Sequence, residues 1–137
     1  MLKCDKLSIT IAGRTLVREL SLELGSGEVI CMLGPNGVGK TLALHTLAGL
    51  LTPASGVVML DGEDISELGR RQIARRLGLL LQDDAESFPA TVLDTVLMGR
   101  HPYMTALGSA SPADHARADQ ALAAKWERMR STGSMAR

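Results

Sequence analysis

The residues Gly34-Pro35-Asn36-Gly37-Val38-Gly39-Lys40-Thr41 place glycine, lysine and a hydroxyl at the spacing GxxxxGK(S/T), a pattern whose chemistry is the cradling of phosphate. Glycines let backbone N–H groups approach phosphate oxygens, and a helix starting at the lysine turns its positive end toward the anion. In such a loop Lys40 would reach the β- and γ-phosphates and the Thr41 hydroxyl would ligate Mg²⁺. Phosphate contacts are expected from Gly37, Val38, Gly39, Lys40, Thr41 and Leu42, and Gly34 and Asn36 complete the expected nucleotide-binding set.

A loop of this kind works only between a strand that aims it and a helix that continues it. Val29 to Leu33 is apolar without alternation, as a strand buried on both faces of a parallel sheet would be. Thr41 to Leu51 has helical spacing of its apolar residues, with Thr52-Pro53 as the stop. Upstream, Leu2 to Ile11 alternates with Leu7, Ile9 and Ile11 on one face, Ala12-Gly13 turns, and Leu16 to Leu24 alternates again with Leu20, Leu22 and Leu24 together. Downstream, Gly56 to Leu60 followed by Asp61-Gly62 predicts a strand and a type I′ hairpin. A short helix over Leu68 to Leu77 would turn Ile73, Ala74 and Leu77 inward, and Leu77 to Leu81 reads as another buried strand ending at Gln82. Thr91 to Met98 is helical in spacing, and Ser111-Pro112-Ala113-Asp114 opens an alanine-rich helix to about Ala124. From Lys125 to Arg137 both the apolar stripe and the turn logic fade.

The chain has 137 residues, room for one small domain, with fifteen Lys+Arg balancing fifteen Asp+Glu. That balance gives no field to recruit nucleic acid or anionic lipid, and Phe88, Tyr103 and Trp126 are too few for a base-stacking platform. A hydrophobic fraction of 45% supports an aliphatic core. Cys4 and Cys31 lack metal-ligand spacing and read as small buried hydrophobes in a reduced, cytosolic protein without a signal peptide. No apolar run approaches the roughly 20 residues that span a bilayer. Arg70, Arg71, Arg75 and Arg76 spread around a short helix as a solvated face, and His45, His101 and His115 read as surface or helix-packing residues.

Val29 to Leu33, the GPNGVGKT loop, the helix with Ala48-Gly49-Leu50, then Pro53, Gly56 and Leu60-Asp61-Gly62 together resemble the nucleotide-binding subunit of ABC transporters over residues 1 to 124. The resemblance implies an α/β P-loop NTPase core with N-terminal antiparallel strands, an incomplete parallel sheet and the start of the helical subdomain. It implies ATP and Mg²⁺ as cofactors, permease subunits and a second ATPase subunit as partners, and a cytoplasmic site at the inner face of the membrane. Gln82 matches the Q-loop position, where the family's glutamine senses Mg²⁺ and the attacking water. Phe88-Pro89-Ala90-Thr91-Val92 and Val96 to Pro102 resemble importers of iron-siderophores, haem and cobalamin, with Phe88 as an anchor on the membrane subunits or a core residue.

Three departures shape the expectation. The family's adenine-stacking aromatic aligns with Ile11, so base discrimination should be poor. The signature motif, the Walker B strand with its Asp and Glu, and the switch His have no counterparts; Asp83 and Asp84 follow Gln82 as solvated loop acids rather than metal ligands. Residues 125–137 do not resemble the family, as a frameshift or truncation would leave them. The chain is therefore expected to bind ATP without hydrolysing it alone, with Val29 to Leu33 stripped of neighbours and marginally stable; the alternatives are a nonfunctional gene fragment or a noncatalytic nucleotide-binding module.

Overall fold

The computed structural model describes residues 1–80, 90–104 and 109–133, the last three by backbone only. Gln82, Asp83, Asp84 and Phe88 lie outside the described residues. Two compact units form, Met1–Leu80 and Leu81–Arg137.

The first unit is built on β1 (Leu2–Ile11), β2 (Arg14–Leu24), β3 (Ser55–Leu60) and β4 (Glu63–Asp64). They pair antiparallel in the order β2-β1-β3-β4. The alternation of β1 is broken once. Lys6 takes a φ of 47° and adds a residue to β1 between the pairs Cys4–Leu22 and Leu7–Leu20. Cys4, Leu7 and Ile9 consequently share the buried face, while Ile11 is exposed, against the expectation from simple alternation. Glu19, at φ 46°, adds the compensating residue to β2.

Each bulge frees a backbone N–H, and each is satisfied by a serine from the opposite strand. The Lys6 amide donates to Ser21 Oγ at 2.9 Å and the Glu19 amide to Ser8 Oγ at 3.1 Å. Gly56 lies against the β1 bulge: a Cβ there would stand 2.4 Å from the Lys6 carbonyl oxygen and 2.6 Å from that of Asp5, and its φ is 85°. Only glycine fits. Asp61 and Gly62, at φ 53° and 86°, make the expected hairpin turn between β3 and β4.

Against this sheet pack α1 (Lys40–Leu47) and α2 (Arg70–Arg76), closing an aliphatic core of Cys4, Leu7, Ile9, Ala43, Leu47, Val58, Leu60, Ile65 and Ile73. The helix α1 ends four residues before the expected Leu51. Gly49 adopts φ 71°, its amide donates to the Thr46 carbonyl, and the Leu50 amide reaches back to His45. This paired closure ends the helix at a glycine before proline has any part in it. In α2 Ile73 is buried, Ala74 is exposed, and all four arginines face solvent, with Arg76 ion-paired to Glu63.

The two expected central strands, Val29–Leu33 and Leu77–Leu81, form no strand pairing over their described residues. Val29, Leu33 and Leu80 are 92%, 86% and 90% exposed, and Cys31, expected buried, is exposed. A parallel strand needs flanking strands on both sides, and the sheet present places none there. Among the described residues Val29–Leu33 has no strand neighbour and exposes apolar side chains, as the sequence reading expects.

The second unit contains α3 (Val92–Met98), a 3-10 turn over His101–Tyr103, and α4 (Pro112–Gly133). Thr91 and Asp94 form a reciprocal capping box on α3. Ser111 and Asp114 do the same for α4, and Asp114 Oδ1 also accepts from Arg100 Nε at 2.9 Å. The Arg100 guanidinium lies 4.3 Å from the Tyr103 ring centroid. The helix α4 runs through residue 133 rather than stopping near Ala124. Lys125 to Arg130 are good helix formers with no breaker among them, so the backbone continues although every side chain from Ala123 to Arg130 is exposed.

Candidate functional site

The loop from Gly34 to Gly39 joins the unpaired segment to α1, and its lower end is fixed by packing. Gly39 is the residue preceding α1, at φ 102°, and a Cβ on it would stand 3.1 Å from Val17 Cγ2 and 3.4 Å from Leu16 Cβ. The backbone thus sits directly on β2, and from there the Ala43 amide donates to the Gly39 carbonyl at 2.8 Å, opening the helix. Of the α1 residues, Ala43, Thr46 and Leu47 are buried, which anchors the helix through its middle and far end and leaves its first turn, at Lys40 and Thr41, open.

Lys40 folds back into this loop. Its Nζ donates to the Gly34 carbonyl at 2.7 Å and to the Pro35 carbonyl at 2.8 Å. The loop is closed around an ammonium held by two charge-assisted hydrogen bonds, beside the positive end of α1. No acidic residue occupies the first turn of α1. The ammonium and the start of α1 make the local field positive, which suits an anion able to replace the two carbonyls as the partner of Lys40. Thr41 is exposed in the same turn.

Gly34, Asn36, Gly37, Val38, Gly39, Lys40, Thr41 and Leu42 are brought together as one continuous loop and helix start. Gln82 is outside the described residues, so its distance from Lys40 is not part of this geometry. His45 lies in the last turn of α1, away from the loop end of the helix, and His101 and His115 are exposed on the second unit. Among the described residues no group of three or more His, Cys, Asp or Glu is placed to hold a metal. Seen from the sequence alone, the seat of Gly39 on β2 went unnoticed; the half-buried Leu16 and Val17 carry no signal of it beyond being apolar.

Comparison with known proteins settles the family. The ABC transporter family model matches residues 17–133. This chain belongs to the ABC transporter family. It is 37% identical over 124 residues to a hemin import ATP-binding protein of Rhizobium meliloti, covering 90% of this chain and 46% of that one. It is 37% identical over 123 residues to a petrobactin import ATP-binding protein of Bacillus anthracis, covering 90% and 45%. The chain thus spans less than half the length of these curated relatives. In fold it resembles a dimeric ATP-binding cassette solved in a post-hydrolysis state with ADP and phosphate, with a TM-score of 0.68 at 21% identity over 88% of this chain and 55% of that chain. That likeness supports the partial P-loop ATPase fold expected from the sequence. Among the described residues no helix is long and apolar enough to cross a membrane.

Proposed function

We propose that this chain is the ATP-binding part of an importer for iron-siderophore, haem or cobalamin-type solutes, and that the Gly34–Leu42 segment is its triphosphate site. The observation that carries the reading is the Lys40 ammonium held inside a preformed loop at the start of α1. Backbone amides from Gly37 to Leu42 would meet phosphate oxygens, with Gly34 and Asn36 shaping the loop above them, and Lys40 would exchange its carbonyl partners for the β- and γ-phosphates. The donor set fits a nucleotide triphosphate. For Mg²⁺ the described residues offer the Thr41 hydroxyl, so the ion would be held largely by phosphate and water, as Mg²⁺ in such sites generally is. Gln82 would complete its shell and orient the attacking water.

The reading includes a place at the cytoplasmic face of a membrane, with permease subunits and a second ATPase subunit as partners; what supports it is that the relatives are named import ATP-binding proteins. The chain alone is proposed to bind nucleotide without turning it over. Calorimetric titration with Mg·ATP tests the site: binding should be measurable for the wild type and at least tenfold weaker for Lys40→Ala. Equal binding by the two would remove the loop from the account, and turnover that disappears in the variant would show the chain to be catalytic by itself.

A further inference from the structure

The longest helix of the second unit carries an apolar line that outruns its own packing. In α4 the inward positions step by four from Asp114 through Ala118 to Leu122, the first two buried and the third half-buried. At about 3.6 residues per turn the same line continues through Trp126 and Met129. These two are 64% and 57% exposed, so the distal half of the helix presents an indole and a thioether to solvent on the face that the proximal half buries. Lys125 and Arg130 border the line on its two sides, and Glu127, the one acid from Lys125 to Arg130, falls on the opposite face. All of these side chains are exposed. The charge of the whole chain is balanced, but the charge beside this line is positive.

An indole with a lysine and an arginine beside it suits the headgroup layer of a bilayer, where the ring keeps its N–H wet and the long cationic side chains reach lipid phosphate. A groove on another protein generally takes a helix by more anchors, at i, i+3, i+4 and i+7, than the two large apolar side chains found here. A second copy packed on the same line would bring Lys125 and Arg130 against their own kind along the seam. We propose that residues 122–130 of α4 form a peripheral membrane contact that seats Trp126 and Met129 in the headgroup region of an anionic bilayer, with Lys125 and Arg130 on lipid phosphates. With so few apolar groups the contact is weak and reversible, and it needs both the charges and the indole.

This contact uses neither the nucleotide site nor a permease, so it stands or fails apart from the function proposed above. The test is to titrate vesicles of phosphatidylglycerol and phosphatidylcholine in equal parts into the full chain at low salt, following Trp126, the single tryptophan. Its emission should shift to the blue and be quenched by brominated acyl chains. Partitioning should be at least about tenfold above that onto phosphatidylcholine alone, with most of the difference lost at high salt. Lys125→Glu with Arg130→Glu should abolish the preference and Met129→Ser should weaken binding, both with the melt unchanged because these side chains are exposed. Lys40→Ala should bind vesicles as the wild type does. The proposal is overturned if the vesicles do not bind, if neutral and anionic vesicles bind alike, if the charge-reversed chain binds as the wild type does, or if the chain sediments with vesicles while Trp126 emission stays unmoved. A shift of equal size with soluble polyglutamate would make an acidic protein the occupant, and a blue-shifted dimer without lipid would make it a second copy; either result overturns the proposal too.

Discussion

The two units solve the problem of holding helices in place by different physics. Of the twelve buried apolar residues described, ten belong to Met1–Leu80 and only Met104 and Ala118 to the second unit. The first unit is held by aliphatic burial against a bulged sheet. The second places a carboxylate at its centre: Asp114, 5% exposed, accepts from the Ser111 hydroxyl, the Ser111 amide and Arg100, and these partners hold its pKa down to about 2. A core of side chains fails when a shape is wrong, whereas a buried charged group fails when it is protonated; in the first unit the carboxylates lowered by their partners, Asp61 beside the N-terminal ammonium and Asp64 beside Ser66, lie outside the core.

The difference can be broken most forcefully at Gly56. Gly56→Ala places a Cβ against backbone that cannot rotate aside, at a positive φ, and should cost about 3 kcal/mol or more. The measurement is the loss of slow amide exchange across Cys4 to Ile9, and survival of that protection would mean that the bulge at Lys6 can shift. An intermediate effect is expected from pH. The folded pKa of Asp114 lies below its unfolded value, so its stabilisation is complete above about pH 4 and is lost as pH falls toward about 2. Asp94, lowered by Thr91, adds to the same window. Urea midpoints followed by Trp126 fluorescence should fall between pH 5 and pH 2, and Asp114→Asn should remove the larger share of that slope. A variant as acid-sensitive as the wild type would shift the role to other carboxylates. The smallest effect is expected at Trp126→Ala, within about 0.5 kcal/mol, because this side chain is 64% exposed on the unsupported half of α4. A larger change in the midpoint by far-ultraviolet dichroism would show that α4 leans on something at that end.

Much of this was legible in the residues because it is local. The Asp61-Gly62 turn, the Ser111 cap and the start of α1 at Lys40 each depend on residues within a few positions of one another, and each stands where the spacing puts it, while the capping box of Thr91 and Asp94 is equally local but was not read. The bulges were not legible, since Lys6 and Glu19 are ordinary residues whose positive φ is sustained by serines eleven or more positions away. That hidden shift is why Cys4 is buried on the same face as Leu7 and Ile9; Ile11, the last residue of β1, is exposed where the strand enters the Ala12-Gly13 turn. The strand character of Val29–Leu33 was legible as composition but not as structure, because a central strand is made by its neighbours. The glycine that ends α1 was visible in Ala48-Gly49-Leu50, yet Pro53 was the louder signal.

The aliphatic make-up of the first unit has an optical consequence. Residues 1–80 hold no tryptophan, tyrosine or phenylalanine, while Tyr103 and Trp126 both belong to the second unit. Ultraviolet emission from this chain therefore reports α3 and α4 and is blind to the sheet and the phosphate loop. A single indole introduced as Ile11→Trp, on an exposed strand end, together with Trp126→Phe, would reverse that view and let the loop-bearing unit be watched alone.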